Sequence, residues 1–220
     1  MKGKAVKSAA GSTFGTMKLP PPKPFAGSVA AALKKRQTVR SFSDRKLSLR
    51  ALSNLLWSAC GVNRTKGPFG ARGITAASAS NSQEIDLYVA LQEGVYLYGA
   101  GSHTLEPVVA GDLRGLALGE RQPPSGSNAA VRLIYVVDLA KYGNAGFQEP
   151  GLHDPEVQKS YYFVDTGLIA AAVYLFAASQ GLGAWFHNCN KPELASRLGL
   201  RKDQRVLFGH TVGYAQKAGT

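Results

Sequence analysis

Two guanidinium groups four residues apart, Arg36 and Arg40, with the hydroxyl of Thr38 between them, form a compact donor cluster of the kind that grips a phosphate. An anionic ligand is the first chemistry they suggest, although a solvated basic helix end has the same composition. A second group is the small polar run Ser78-Ala79-Ser80-Asn81-Ser82-Gln83, where small side chains permit close backbone approach and an amide supplies both a donor and an acceptor. Read alone, it is an ordinary polar turn. A third lies near the end of the chain, where Gly181-Leu182-Gly183 precedes Trp185, Phe186 and His187, and Lys217 follows Val212-Gly213-Tyr214-Ala215. The four histidines, 103, 153, 187 and 210, share no ligand spacing. His187 could line a site beyond the Gly-Leu-Gly, and a structural histidine is the plainer reading.

The chemistry other motifs would bring is missing. No Gly-x-Ser-x-Gly elbow or zinc motif appears, so no metal is expected; Gly67–Gly73 lacks the Gly-Lys-Ser/Thr ending of a P-loop. Gly181-Leu182-Gly183 follows a helix rather than a strand, unlike a dinucleotide fingerprint. Cys60 and Cys189 stand in no CxxC pair, which points to reduced, structural thiols and suits a cytoplasmic protein.

These residues need elements to hold them. Ser28 is placed to cap a short helix through Lys35, so the arginines fall where helix gives way to loop and both can converge on one ligand. Ser48 can cap a second helix, with Leu49, Leu52, Leu55, Leu56 and Ala59 at helical spacing and Gly61 to end it. Residues 85–91, 95–98 and 104–109 alternate as an antiparallel meander, and 131–137 reads as a central strand, β-branched and nearly all apolar. From Glu156 to Gln180 a helix is apolar around its circumference in its second half. Asp165 and Thr166 interrupt it, which favours a buried central helix over a membrane span. A short strand over 184–187, a short helix over 192–198 and a last strand over 205–214 complete one α+β domain, residues 28–220. Residues 1–27, with Gly, Ser and three consecutive prolines, read as a flexible arm with no signal peptide or membrane anchor.

The 220-residue chain has a formal net charge of +12, which invites a nucleic-acid reading. Residues 1–50 hold twelve Lys and Arg against the single acid Asp44, so most of the excess sits in the arm and the arginine cluster. Aromatics are not interleaved there and no RNA- or DNA-binding motif appears, which argues against a nucleic-acid partner.

Taken in order, Arg-x-Thr-x-Arg-x-Phe at 36–42, the Ser78–Gln83 run leading into a strand, and the Gly-Leu-Gly with its closing strand resemble the nitroreductase family. The resemblance implies an FMN-binding fold, a mixed and mainly antiparallel sheet flanked by helices, in a homodimer with a buried central helix. By position it assigns Arg36 and Thr38, with backbone from Gln37, to the FMN phosphate and ribityl end. Arg40 falls at the pyrimidine edge and is the residue given the catalytic role. Ser78, Ala79 and Asn81 would pack on the flavin held mainly by the other subunit, and His187 and Lys217 would be further contacts. Ala77 stands where the family has Pro, and Glu84-Ile85 where it has Pro-Trp. The activity implied is hydride transfer from NAD(P)H through FMN to a small electron-poor acceptor such as a nitroaromatic or quinone. The run Ser82–Tyr88 and the Gly94–Tyr98 hairpin look closer to thiazoline and oxazoline dehydrogenases of peptide modification, an alternative within the same chemistry. A basic anion- or nucleic-acid-binding module is the alternative outside it.

Overall fold

The structure, a computed structural model, describes residues 6–7, 13–25, 27–119 and 129–216. Its frame is a seven-stranded sheet built from β1 (Met17–Lys18), β2 (Ile85–Ala90), β3 (Gly94–Gly99), β4 (Thr104–Ala110), β5 (Val131–Asp138), β6 (Gly183–His187) and β7 (Gln204–Gly213). The order across the sheet is β6-β7-β5-β2-β3-β4-β1, and every neighbouring pair is antiparallel. All eight residues of β5 are buried, which explains its continuous apolar run: a strand covered on both faces has no polar side to alternate with.

Five helices cover the sheet: α1 (Val29–Lys35), α2 (Leu49–Cys60), α3 (Arg114–Leu118), α4 (Pro155–Ser179) and α5 (Lys191–Arg197). Strand alternation divides the core. Leu87, Val89, Leu133, Tyr135 and Val137 meet Leu52, Leu55 and Leu56 of α2 and Ile169, Ala170 and Val173 of α4. Tyr88, Ala90, Ile134 and Val136 meet Leu113 and Ala117 at α3, and Leu194 and Leu198 at α5. Each fully buried Leu or Ile contributes about 1.5–3 kcal/mol. The caps are those the sequence offers: Ser28 Oγ accepts from Ala31 N–H and Ser48 Oγ from Ala51 N–H, both at 3.1 Å. Asp154 caps α4, accepting from Glu156 N–H at 2.8 Å ahead of Pro155.

The mainly antiparallel α+β architecture is as expected, and the N-terminal arm differs. Most of the described part of the arm is docked: Phe14 and Leu19 are buried and Met17–Lys18 closes the sheet edge against β4. Phe14 lies where a Cβ on Gly94 would sit, so the glycine of the β2–β3 turn makes its pocket. Between β5 and α4 lie two 3-10 turns, Leu139–Asn144 and Pro150–His153, which bury Tyr142 and Leu152. The small-residue stretch after Gly111 opens with the short helix α3. Along α4, Asp165 and Thr166 are buried while Phe163, Val164 and Leu168 are exposed, as are Val29 and Leu33 of α1.

Candidate functional site

The arginine segment is fixed by main-chain pairing at the free edge of β6. Arg36 N–H closes α1 on Ala32 C=O at 2.8 Å. The chain then runs extended, Thr38 bridges Ala184 in parallel, and Val39 N–H donates to Ala184 C=O at 3.0 Å. Gly183 is required here, because a Cβ would come within 2.9 Å of Val39. Further along, Ser43 N–H donates to Tyr214 C=O and Gln216 N–H to Ser41 C=O, both at 3.0 Å. Phe42, fully buried, packs with Val39, Leu118, Ala129 and Trp185.

Tyr174 ties this edge to α4. Its hydroxyl accepts Phe186 N–H at 2.9 Å and lies 3.3 Å from Thr38 Oγ1. With one lone pair taken by the amide, its proton is available to Thr38. Arg36 Cζ stands 5.6 Å from the Tyr174 ring centroid and Arg40 Cζ 5.7 Å from that of Trp185. The two guanidinium groups therefore rest on different rings. Alternation along β6 is the reason: Phe186 meets Tyr135, Phe208 and His210, while Trp185 packs against Leu118 and His187. Beside Thr38 lies a cleft of about 220 Å³ lined by Lys35, Gln37, Tyr174, Leu182, Gly183 and Ala215, among others. Its volume falls below the about 300–1,000 Å³ usual for small-molecule sites.

The Ser78–Gln83 run is built differently. It is a 3-10 turn in which Ser80, Asn81 and Gln83 all have φ near +50° (50°, 54° and 50°), a left-handed conformation that costs L residues energy unless the surroundings enforce it. The enforcing bonds are present. Ser78 Oγ accepts Gln83 N–H at 3.0 Å, and Ala79 N–H donates to Asp165 Oδ2 at 2.9 Å. Gln83 Nε2 donates to Arg72 C=O at 2.7 Å, and Lys141 Nζ to Gln83 C=O at 3.0 Å. The Asn81 amide is turned inward, donating to Arg72 C=O at 3.3 Å and accepting from Gln83 Nε2 at 3.0 Å. Asp165 and Tyr174 are nine positions apart on one helix, about 13–14 Å at 1.5 Å per residue. The turn and the arginine segment are thus separate places on one chain.

His187 is not brought to either place. It is buried, with Nδ1 2.7 Å from Asn188 C=O and Nε2 2.8 Å from Thr211 Oγ1, and burial pushes its pKa down to about 4. It is a structural residue, on the face its neighbour Trp185 occupies. Lys217 lies outside the described residues. Burial pushes the Cys60 and Cys189 thiols up to about 12 and about 11, and both are free, inert core residues. Among the described residues, no group of His, Cys, Asp and Glu could hold a metal ion. Tyr174 and Trp185 escaped the sequence reading. The signal for Tyr174 was there, as the single hydroxyl in the apolar run from Leu168 to Ala178.

The sequence profile of the Nitroreductase family matches residues 33–214, most of the chain. A candidate nitroreductase from Methanocaldococcus jannaschii is 29% identical over 160 residues, 68% of this chain and 72% of that protein. A candidate nitroreductase from Ralstonia eutropha, solved by crystallography, superposes with a TM-score of 0.81 at 30% identity, covering 98% of this chain and 99% of the other. A chain of the E. coli microcin synthetase McbBCD complex shares the fold at a TM-score of 0.68 and 17% identity, over 90% of this chain and 77% of that one.

Proposed function

The chain belongs to the nitroreductase family, and from that premise we propose that it is an FMN-dependent oxidoreductase passing hydride from NAD(P)H to an electron-poor acceptor of the nitroaromatic or quinone class. The observation that carries this reading is the Thr38–Tyr174 link, which joins positions 136 apart in the chain and sets the arginine segment beside Gly181-Leu182-Gly183. The residues fit FMN. Arg36 is an exposed cation for a phosphate, and the Thr38 hydroxyl, 3.3 Å from that of Tyr174, is a second polar group beside it. The wall of Gly183, Ala184, Ala177 and Ala178 has no long side chain to hinder a flat ring.

FMN, when bound, supplies the hydride acceptance and donation that no side chain here can perform. The chain's own work is positioning and charge. Arg36 and Thr38 hold the phosphate and ribityl end, and Arg40 is the cation for the pyrimidine edge, where negative charge grows on reduction. A cleft of about 220 Å³ is part of a site, and a second copy of this chain completes it. Support for that dimer is the exposed apolar set of Val29, Leu33, Phe163, Val164 and Leu168. The separation of the Ser78–Gln83 turn from the arginine segment fits the same assembly, each turn serving the partner's flavin.

The test is the absorbance of the purified protein and its titration with FMN. A flavin spectrum with one FMN per chain is expected, and protein that stays colourless in saturating FMN contradicts the reading. NADH oxidation that needs a quinone or nitroaromatic then supports this acceptor class over a peptide azoline.

A further inference from the structure

Glu84 and Asp165 are two carboxylates buried together beneath the Ser78–Gln83 turn, with relative exposures of 0% and 5%. Their oxygens are nearly all accounted for. Asp165 Oδ2 accepts Ala79 N–H at 2.9 Å and Glu84 Oε2 accepts Ser82 Oγ–H at 2.7 Å, while Glu84 Oε1 is buried with no donor among the described residues. The two side chains are within hydrogen-bonding reach of each other. Two ionised carboxylates in contact, out of water and without a cation, repel strongly, whereas one proton between them turns repulsion into a charge-assisted hydrogen bond.

Among the described residues no ion pair reaches either carboxylate. The groups that face the pair are the hydroxyls of Tyr142, which donates to Gln158 C=O at 3.3 Å, and Tyr161. Lys141, the nearest ammonium on the 139–144 turn, is held by Asp86 Oδ1 at 2.6 Å and by Gln83 C=O. Burial first, and then the Glu84 carboxylate, push the Asp165 pKa up to about 7.

We propose that Glu84 and Asp165 share a single proton, donated from Asp165 to the orphan Glu84 Oε1, and that this proton holds the Ser78–Gln83 turn in its strained shape. Asp165 and Glu84 are then positioning residues. Both bonds from the pair into the turn end on it, at Ala79 and Ser82, and loss of the proton releases the residues carrying positive φ. The consequence for flavin rests on the reading above, in which the turn packs on FMN.

The direction with pH follows from linkage. A carboxyl whose folded pKa is raised from 3.8 contributes stability that is fully present below about pH 4 and is lost as pH rises through about 7. Asp165→Asn keeps an acceptor for Ala79 and a donor for Glu84 without titrating. Thermal melting of the FMN-free protein from pH 4.5 to 8.5 should show the Asn variant gaining on wild type, by several degrees across the window and level above about pH 8. Asp165→Ala, which keeps neither bond, should melt lower than wild type throughout. FMN affinity of wild type should fall several-fold from pH 6 to 8 relative to the Asn variant; titration of the ligand's own phosphate is common to both. A melting difference between Asn and wild type that does not change with pH overturns the proposal, as does an Asn variant no better than Ala. If wild type binds no FMN at any pH, the flavin reading fails and the melting curves still decide the proton.

Discussion

The arginine segment and the Ser78–Gln83 turn are both candidate flavin contacts, yet they are positioned by opposite means. The first is laid along the edge of β6 by backbone bonds to Ala184, Tyr214 and Gln216, with Tyr174 and Phe42 packed beneath. The second holds three side-chain-bearing residues at positive φ with two main-chain bonds inside the turn and, beyond them, with the side chains of Ser78, Gln83, Lys141, Asp165 and Glu84. Main-chain pairing tolerates substitution and ignores pH. Side-chain clamps depend on particular atoms and on their protonation.

The comparison can be broken first at Phe42. It is fully buried, so Phe42→Ala should cost about 3–5 kcal/mol of stability, measured by urea unfolding, and should loosen the Val39–Arg40 backbone while leaving the turn protected in hydrogen exchange. Equal loss of protection at residues 78–83 would show that the two regions are one cooperative unit.

Tyr174→Phe is a smaller change. It strands the Phe186 N–H and removes the proton offered to Thr38, a cost of about 1–3 kcal/mol for an unsatisfied buried donor. Stability and FMN affinity should fall together in this variant. An affinity untouched while stability drops would remove Thr38 from the site.

Arg40→Met sharpens the electrostatic side. If Arg40 faces the pyrimidine edge, the two-electron midpoint potential of bound flavin should drop by tens of millivolts, at about 30 mV per 1.4 kcal/mol. Arg40→Lys should keep much of it, since the charge survives. A spectroelectrochemical titration decides, and an unchanged potential in the Met variant would place Arg40 on Trp185 and away from the flavin.

The sequence showed most of the frame because its signals are local. The Leu49–Ala59 spacing, the Ser28 and Ser48 caps and the continuous apolar run of β5 each reflect a structure formed within a few residues. Gly111 to Ser127 was less legible, its small residues carrying little periodicity, and α3 occupies only five of them. The docking of Phe14 depends on Gly94, eighty positions away, and no local pattern announces it. Within the candidate site, the Arg-x-Thr-x-Arg motif stood out by charge. What lay hidden was its floor: Tyr174 and Trp185 read as core aromatics, and their stacking under two arginines follows from strand alternation at an edge not visible in sequence. His187 misled for a related reason, since a histidine after Gly-Leu-Gly lies near the edge but on the buried side. The positive φ values at Ser80, Asn81 and Gln83 were equally hidden, because none is glycine.

The most direct test is the FMN dissociation constant of Arg36→Ala beside that of Arg45→Ala. The control is a close match in kind, since Arg45 is also exposed and also stacks on a ring, with Cζ 3.9 Å from the Tyr214 centroid. A charge-assisted contact to phosphate is worth about 1.5–3 kcal/mol, so Arg36→Ala should weaken FMN binding by about ten- to a hundred-fold, while Arg45→Ala should change it little. Equal dissociation constants for the two variants would contradict the phosphate site at the arginine segment.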